Sequence, residues 1–305
     1  MYDIIGDVHG HAEKLKKLLN ELGYKTNREG TFFHPSRKVI FTGNFINKGP
    51  QIKETLEIIK GMTQAGFATT LLGYQEYSIL CYCTKENGEY LHKHNNKNAN
   101  QHLKTLREFN NGISEEWKSY LEWFMTLPFF FNLDGLRVVS ACWYNKNLDF
   151  LKDEYGNTLT TELLRKSTDK KTFENKAIDE TLKSKRAHLP EGVFIKDIYG
   201  NKKSSLRVKW WDKPQNKTYK EYAVSKYNDE VPEIEVSLKD MDEDLLEGYN
   251  ELRKPLVVGY YNFDEPKFLN TNAICINSNI SETSKLSAYS WFGENTLVAE
   301  NIITV

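Results

Sequence analysis

Three short apolar runs, each ending in a glycine-bearing turn that opens into an amphipathic stretch, constrain this chain more than anything else in it. Tyr2 to Ile5 runs into Gly6-Asp7-Val8-His9-Gly10, and Leu15, Leu18, Leu19 and Leu22 follow at the spacing of one buried helical face. Val39 to Phe41 leads through the turn Thr42 to Pro50 into Gln51 to Gln64, which carries Leu56, Ile59 and Met62. Ala68 to Leu72 breaks at Gly73 and continues into a helical Glu76 to Tyr82. Strand, turn and helix in this order predict βαβ units, and so a largely parallel sheet with helices on its faces.

The later chain is less regular. His92 to Gln101 is polar and reads as an exposed loop or a solvated helix start, Trp117 to Leu127 as an amphipathic helix, and Leu136 to Ala141 as a central strand. Tyr144 to Lys254 is charged and broken, which suggests a subdomain inserted over the edge of the sheet or over its site. Leu256 to Val258, Ala273 to Ile276, Leu286 to Trp291 and Leu297 to Val305 supply closing strands rich in β-branched and aromatic residues. The expected organisation is one domain over residues 1–305 with an insert at about 144–254. A net charge of -1 gives no global bias toward nucleic acid or anionic membranes. Cys81, Cys83, Cys142 and Cys275 show no CxxC or secreted-framework spacing, a strand beginning at Tyr2 leaves no room for a signal peptide, and no apolar run reaches the ~20 residues of a membrane span. A cytoplasmic protein is expected.

In open α/β sheets ligands collect outside the carboxyl ends of the strands, so the turns there carry the chemistry. Asp7 and His9, two residues apart in a Gly-flanked turn, can point a carboxylate and an imidazole at one ion. Taken alone, the same pair reads equally well as an Asp-capped turn before a helix.

The order of the later turns separates these readings. Gly6 to Gly10 resembles the first signature of the calcineurin-like metallophosphoesterases, GDxHG, and Gly43-Asn44-Phe45-Ile46-Asn47-Lys48-Gly49-Pro50 resembles the second, GDxxDRGP. Gly73-Tyr74-Gln75-Glu76-Tyr77 stands where GNHEY belongs, Val139 to Trp143 resembles VHACW, and Val258 to Tyr261 resembles GHYW. The resemblance runs nearly end to end, toward the Ser/Thr-phosphatase-like branch with its diadenosine tetraphosphatases and RNA-repair phosphatases. It implies an α/β fold of two packed mixed sheets flanked by helices, with an inserted α+β subdomain.

The departures from the family pattern fall on its reactive positions. By the resemblance, Asp7 and His9 remain as metal ligands, while the bridging Asp is Asn44, the Asn ligand is Tyr74, and the two late His ligands are Ser140 and Tyr260. The general-acid His is Gln75, the Asp that orients it is Asn47, and the phosphate-gripping Arg is Lys48. Neutral Asn44 offers one good metal-ligand oxygen in place of a bridging carboxylate, so two dications would repel each other over Asp7 alone. Gln75 cannot donate a proton, which removes help worth about 100- to 10,000-fold. Lys48 keeps the charge without the guanidinium fork. No histidine lies in the two late turns, and His188 is the only one beyond residue 102. His92 and His94 read as solvated.

The expectation is a catalytically impaired homologue with no intact catalytic set and no dinuclear metal pair. At most one weakly bound divalent ion (Mn, Mg, Fe or Zn) is expected at Asp7 and His9, within the remnant metal positions Asp7, His9 and Asn44, and Lys48 is the phosphate-binding candidate. The partner expected is a protein or a phosphorylated ligand held in the old cleft, and not nucleic acid or a membrane. The alternative is an active metal-dependent phosphoesterase, a Ser/Thr phosphatase or a dinucleoside polyphosphate hydrolase, with an atypical site. Tyr74 and Tyr260 read either as filling the cavity as ordinary core or as lining a retained pocket. Arg207 with Trp210 and Trp211 reads as a strand whose aromatics cover the sheet, in preference to a base-stacking surface.

Overall fold

The computed structural model describes residues 1–196, 200–224, 231–239, 241–250, 252–278 and 285–305. Ten strands form two five-stranded sheets. In chain order they are β1 (Tyr2–Ile5), β2 (Lys38–Phe41), β3 (Ala68–Thr70), β4 (Phe130–Asn132), β5 (Arg137–Val139), β6 (Leu256–Val258), β7 (Lys267–Asn270), β8 (Ala273–Cys275), β9 (Ser287–Trp291) and β10 (Ile302–Thr304). The first sheet runs β10-β9-β1-β2-β3 and the second β7-β8-β6-β5-β4.

The two sheets pack face to face because their inner strands are apolar on both sides. Ile4, Ile40, Val138, Val257, Ile274 and Tyr289 share one buried cluster drawn from both sheets. Their neighbours Ile5, Val39, Val139 and Val258 point the other way, into the larger core beneath the helices. That outer core is closed by α1 (Ala12–Glu21), α2 (Ile52–Gln64), α3 (Tyr74–Cys83), α4 (Asn96–Glu108) and α5 (Glu115–Met125).

Both sheets are mixed. β1, β2 and β3 are parallel, as the βαβ pattern requires, but β9 lies antiparallel to β1 and β10 antiparallel to β9. In the second sheet β5, β6 and β8 are parallel, with antiparallel strands on each edge. The expectation of a largely parallel sheet fails at the edge strands β4, β7 and β10, which join their neighbours without crossover helices, and at the internal strand β9, which returns antiparallel to β1 from the far end of the chain. Leu136 to Ala141, expected to be central, contributes β5, which lies next to an edge strand. α4 begins at Asn96, so the polar stretch read as loop or helix start is a helix from there on.

Within the region read as an insert, α6 (Asn145–Tyr155), α7 (Thr161–Lys166) and α8 (Phe173–Lys183) precede a small antiparallel pair, Arg186–His188 with Ser205–Arg207. Residues 197–199, 225–230, 240 and 251 of this region lie outside the described set. The strand ends at Arg207, so Trp210 and Trp211 are not part of it. Both are buried. Trp210 Nε1 donates to the Tyr261 hydroxyl at 2.7 Å, and the Trp211 ring lies edge-on to Tyr261 at 5.2 Å. A nucleobase could not reach them.

Candidate active site

Parallel β1, β2 and β3 bring the turns after Ile5, Phe41 and Thr70 to one rim, and parallel β5 and β6 bring the turns after Val139 and Val258 to another. Asp7 joins the two rims. Its Oδ1 accepts from the backbone N–H of Tyr260 at 3.3 Å, and its Oδ2 accepts from Asn277 Nδ2 at 3.2 Å. A Cβ placed on Gly259 would stand 2.7 Å from both Asp7 Oδ1 and Thr42 Oγ1, so only glycine allows this approach.

Asp7, His9, Asn44, Lys48, Tyr74, Gln75 and Tyr260 line one cavity of about 300 Å³, together with Arg207 and Tyr261 to Phe263. Tyr74 and Tyr260 therefore narrow the space without filling it. Ser140 is fully buried, its Oγ has no partner among the described atoms, and it is not among the cavity-lining residues. Backbones around the cavity are unusual. His9, Asn44, Asn47 and Tyr260 take φ of 50, 58, 87 and 68°, a region that costs non-glycine residues on the order of 1–3 kcal/mol each and gathers at functional sites.

The orientation of Asn44 decides what the centre can hold. Its Oδ1 accepts from the backbone N–H of Gln75 at 3.0 Å, a donor that cannot be reversed, so its Nδ2 faces the site and donates to Asp7 Oδ2 at 3.1 Å. Asn277 is fixed in the same way. Its Oδ1 takes the Asp7 N–H at 3.1 Å and its Nδ2 turns to the carboxylate. Asp7 is thus ringed by N–H donors where a dinuclear centre would need lone pairs. His9 Nδ1 lies 3.0 Å from the Ile46 carbonyl, which it meets as a donor, and its Nε2 lies 3.6 Å from Asp7 Oδ2. Among the described residues no group of three or more His, Cys, Asp or Glu is placed to hold a metal. The donors present do not fit a pair of divalent ions.

The acid and orienting positions form a neutral pair. Asn47 Nδ2 donates to Gln75 Oε1 at 2.6 Å, and Gln101 Nε2 donates to the same oxygen at 3.1 Å. Behind them His102 is fully buried, with Nδ1 3.2 Å from Asn47 Nδ2 and Nε2 3.3 Å from Ser78 Oγ. Burial, with the nearby His92 and His94, pushes its pKa down to about 4. Glu76, fully buried, accepts the backbone N–H groups of Asn44 and Phe45 at 2.8 Å and of Gly73 at 3.2 Å. Burial raises its carboxyl to about 7 against the pull of those bonds.

Several of these residues are not singled out by the sequence pattern. Asn277 follows β8, another strand end, and the rule that picks out the earlier turns could have found it. Arg207, read only as part of a strand whose aromatics cover the sheet, has its side chain on the cavity wall. Its Nη1 donates to the Ser184 carbonyl at 2.9 Å and its Nη2 lies 3.6 Å from Asp179 Oδ2. His188 lies on the small strand pair away from this cavity. His92 is half-buried, contrary to the solvated reading, and His94 stacks between Tyr82 and Tyr90 at 3.8 Å from each ring centroid.

No protein-family model matches the chain. It is 26% identical over 141 residues, 46% of its length, to a bis(5'-nucleosyl)-tetraphosphatase PrpE of Oceanobacillus iheyensis, of which the match covers 54%. It is 36% identical over 64 residues to the protein of the same description from Halalkalibacterium halodurans, with 26% of that protein covered. The chain thus spans about half the length, or less, of these curated relatives. A protein serine/threonine phosphatase of Saccharomyces cerevisiae superimposes with a TM-score of 0.52 over 100% of this chain and 78% of that one, at 10% identity, a likeness of fold.

Proposed function

We propose that this chain, a relative of the calcineurin-like metallophosphoesterases in sequence and in fold, does not hydrolyse phosphoesters through a metal pair and instead binds a phosphorylated ligand in the inherited cleft. One observation carries the reading: Asn44 turns its NH2 group toward Asp7, with its oxygen committed to the Gln75 N–H. A metal-bridging ligand must present oxygen, and among the described residues the only carboxylate lining the cavity already accepts three N–H groups. The cavity meanwhile keeps two cationic side chains, Lys48 and Arg207. Arg207 is held by Asp179 and the Ser184 carbonyl, and a guanidinium so fixed suits a phosphate. The four cysteines are free, as a reducing cytoplasmic setting would keep them. Among the described residues no helix is long and apolar enough to cross a membrane.

The test pairs turnover with binding. With added Mn, para-nitrophenyl phosphate and diadenosine tetraphosphate should show no hydrolysis above buffer. Calorimetry should detect inorganic phosphate binding that weakens about tenfold in Arg207→Ala, since a charge-assisted hydrogen bond contributes about 1.5–3 kcal/mol. Turnover abolished by Asp7→Ala would overturn the reading. The placement of His9 Nε2 3.6 Å from Asp7 favours a second reading, a mononuclear hydrolase, and that same result would establish it.

A further inference from the structure

We propose that a second cleft, bordering the first cavity at Tyr74, binds an acidic peptide segment of a protein partner. It encloses about 1090 Å³ between α3, α8 and the Arg186–His188 strand, and Tyr74 lines both spaces. Six lysine and arginine side chains line it against three carboxylates, on a chain whose overall charge is -1.

The carboxylates are committed. Asp179 pairs with Lys183 at 2.5 Å and Arg186 at 3.4 Å, and Glu180 pairs with Lys185 at 2.9 Å. Asp242 accepts the Leu245 N–H at 3.3 Å. Lys170 and Lys176 are exposed on the wall and have no ion-pair partner among the described residues. The excess is cationic, so the complementary occupant is anionic.

The aromatic side chains decide between a peptide and a nucleic acid. Single-stranded nucleic acid needs open ring faces on which bases stack. Lys183 Nζ sits over the Tyr74 ring at 4.0 Å from its centroid. Tyr77 is 6% exposed and its hydroxyl is bonded to Ser167 Oγ at 2.9 Å. The rest of the wall mixes hydroxyl, amide and ammonium groups with the imidazoles of His92 and His188 and the apolar Ile178, Ala187, Met241 and Leu245, a lining that suits the carboxylates and the aliphatic parts of a peptide. Binding there is independent of turnover in the first cavity.

Fluorescence anisotropy on the full chain tests this with three labelled probes: a short peptide of alternating Glu and Ser, its Gln counterpart, and a single-stranded RNA of similar charge. The acidic peptide should bind, weaken steeply with salt, and lose on the order of tenfold affinity in a Lys170→Glu, Lys176→Glu variant, both sites being exposed and tolerant. The Gln peptide should not bind. Equal binding of the two peptides, an unchanged affinity in the double variant, or tighter binding of the RNA would each overturn the proposal. Phosphatase activity measured on the same samples bears on the first cavity alone, so the two readings fail separately.

Discussion

Asn47 donates to Gln75 at 2.6 Å across the positions where the family pattern has an aspartate and its histidine. The contact persists while both partners are neutral and neither can move a proton at ordinary pH. Thr105 Oγ1 donates to Asn47 Oδ1 at 2.7 Å and His102 closes the other side, so the pair is embedded in the fold as structure. Restoring it by Asn47→Asp with Gln75→His should therefore give no phosphatase activity with Mn, because the ligands for the metal pair are still missing. Turnover in this double variant would show that the centre is assembled already.

Asp7 should behave as an acceptor that structural N–H groups require. In Asp7→Asn the amide oxygen can serve Asn44 and Asn277 only by turning its NH2 toward the Tyr260 N–H, so a buried donor is left unsatisfied at a cost of about 1–3 kcal/mol. Chemical denaturation of the metal-free protein should show that loss. A variant as stable as the parent would mean the carboxylate is held for an ion.

Gly259 sits against the same carboxylate. The Gly259→Ala methyl would have to push Asp7 and Thr42 apart, so a loss of about 1–3 kcal/mol is expected in equilibrium unfolding, with Gly61→Ala, in open space, as the control. A loss no larger than the control's would show that the two rims yield easily.

His102 should make stability depend on pH. Its folded-state pKa of about 4 lies below the ordinary 6.5, so the unfolded chain binds more protons between these values. Stability then rises with pH across that window and is lost as pH falls through it, by up to about 3 kcal/mol. Glu76, raised from 4.5 to about 7, works in the opposite direction over its own window, so the informative quantity is the difference between the parent and His102→Gln. Denaturation midpoints of the two should converge toward pH 4. Parallel curves would place His102 in contact with solvent.

The first two strand-turn-helix units were legible because each pairs a two-sided apolar strand with a helical leucine or isoleucine face, and the third because its short strand breaks at Gly73 into a helix buried nearly all round. The second sheet was partly legible: β6 and β8 are buried runs, while β7, with one exposed lysine and half-buried neighbours, carries no such signal. Within the candidate site, the residues inside signature turns could be placed from spacing. Arg207 could not, since a guanidinium on a distant hairpin reaches the cavity only through the fold, whereas Asn277, just past a strand end, was within reach of the same rule though outside the signature turns. The orientation of Asn44 was equally invisible, because composition records an amide and only the Gln75 N–H reveals which end faces inward.

Metal stoichiometry in crystals soaked with manganese, read by anomalous scattering at the cleft, tests the central claim most directly. No ion, or a single partly occupied one between Asp7 and His9, is the predicted result. Two fully occupied ions flanking Asn44 would contradict it.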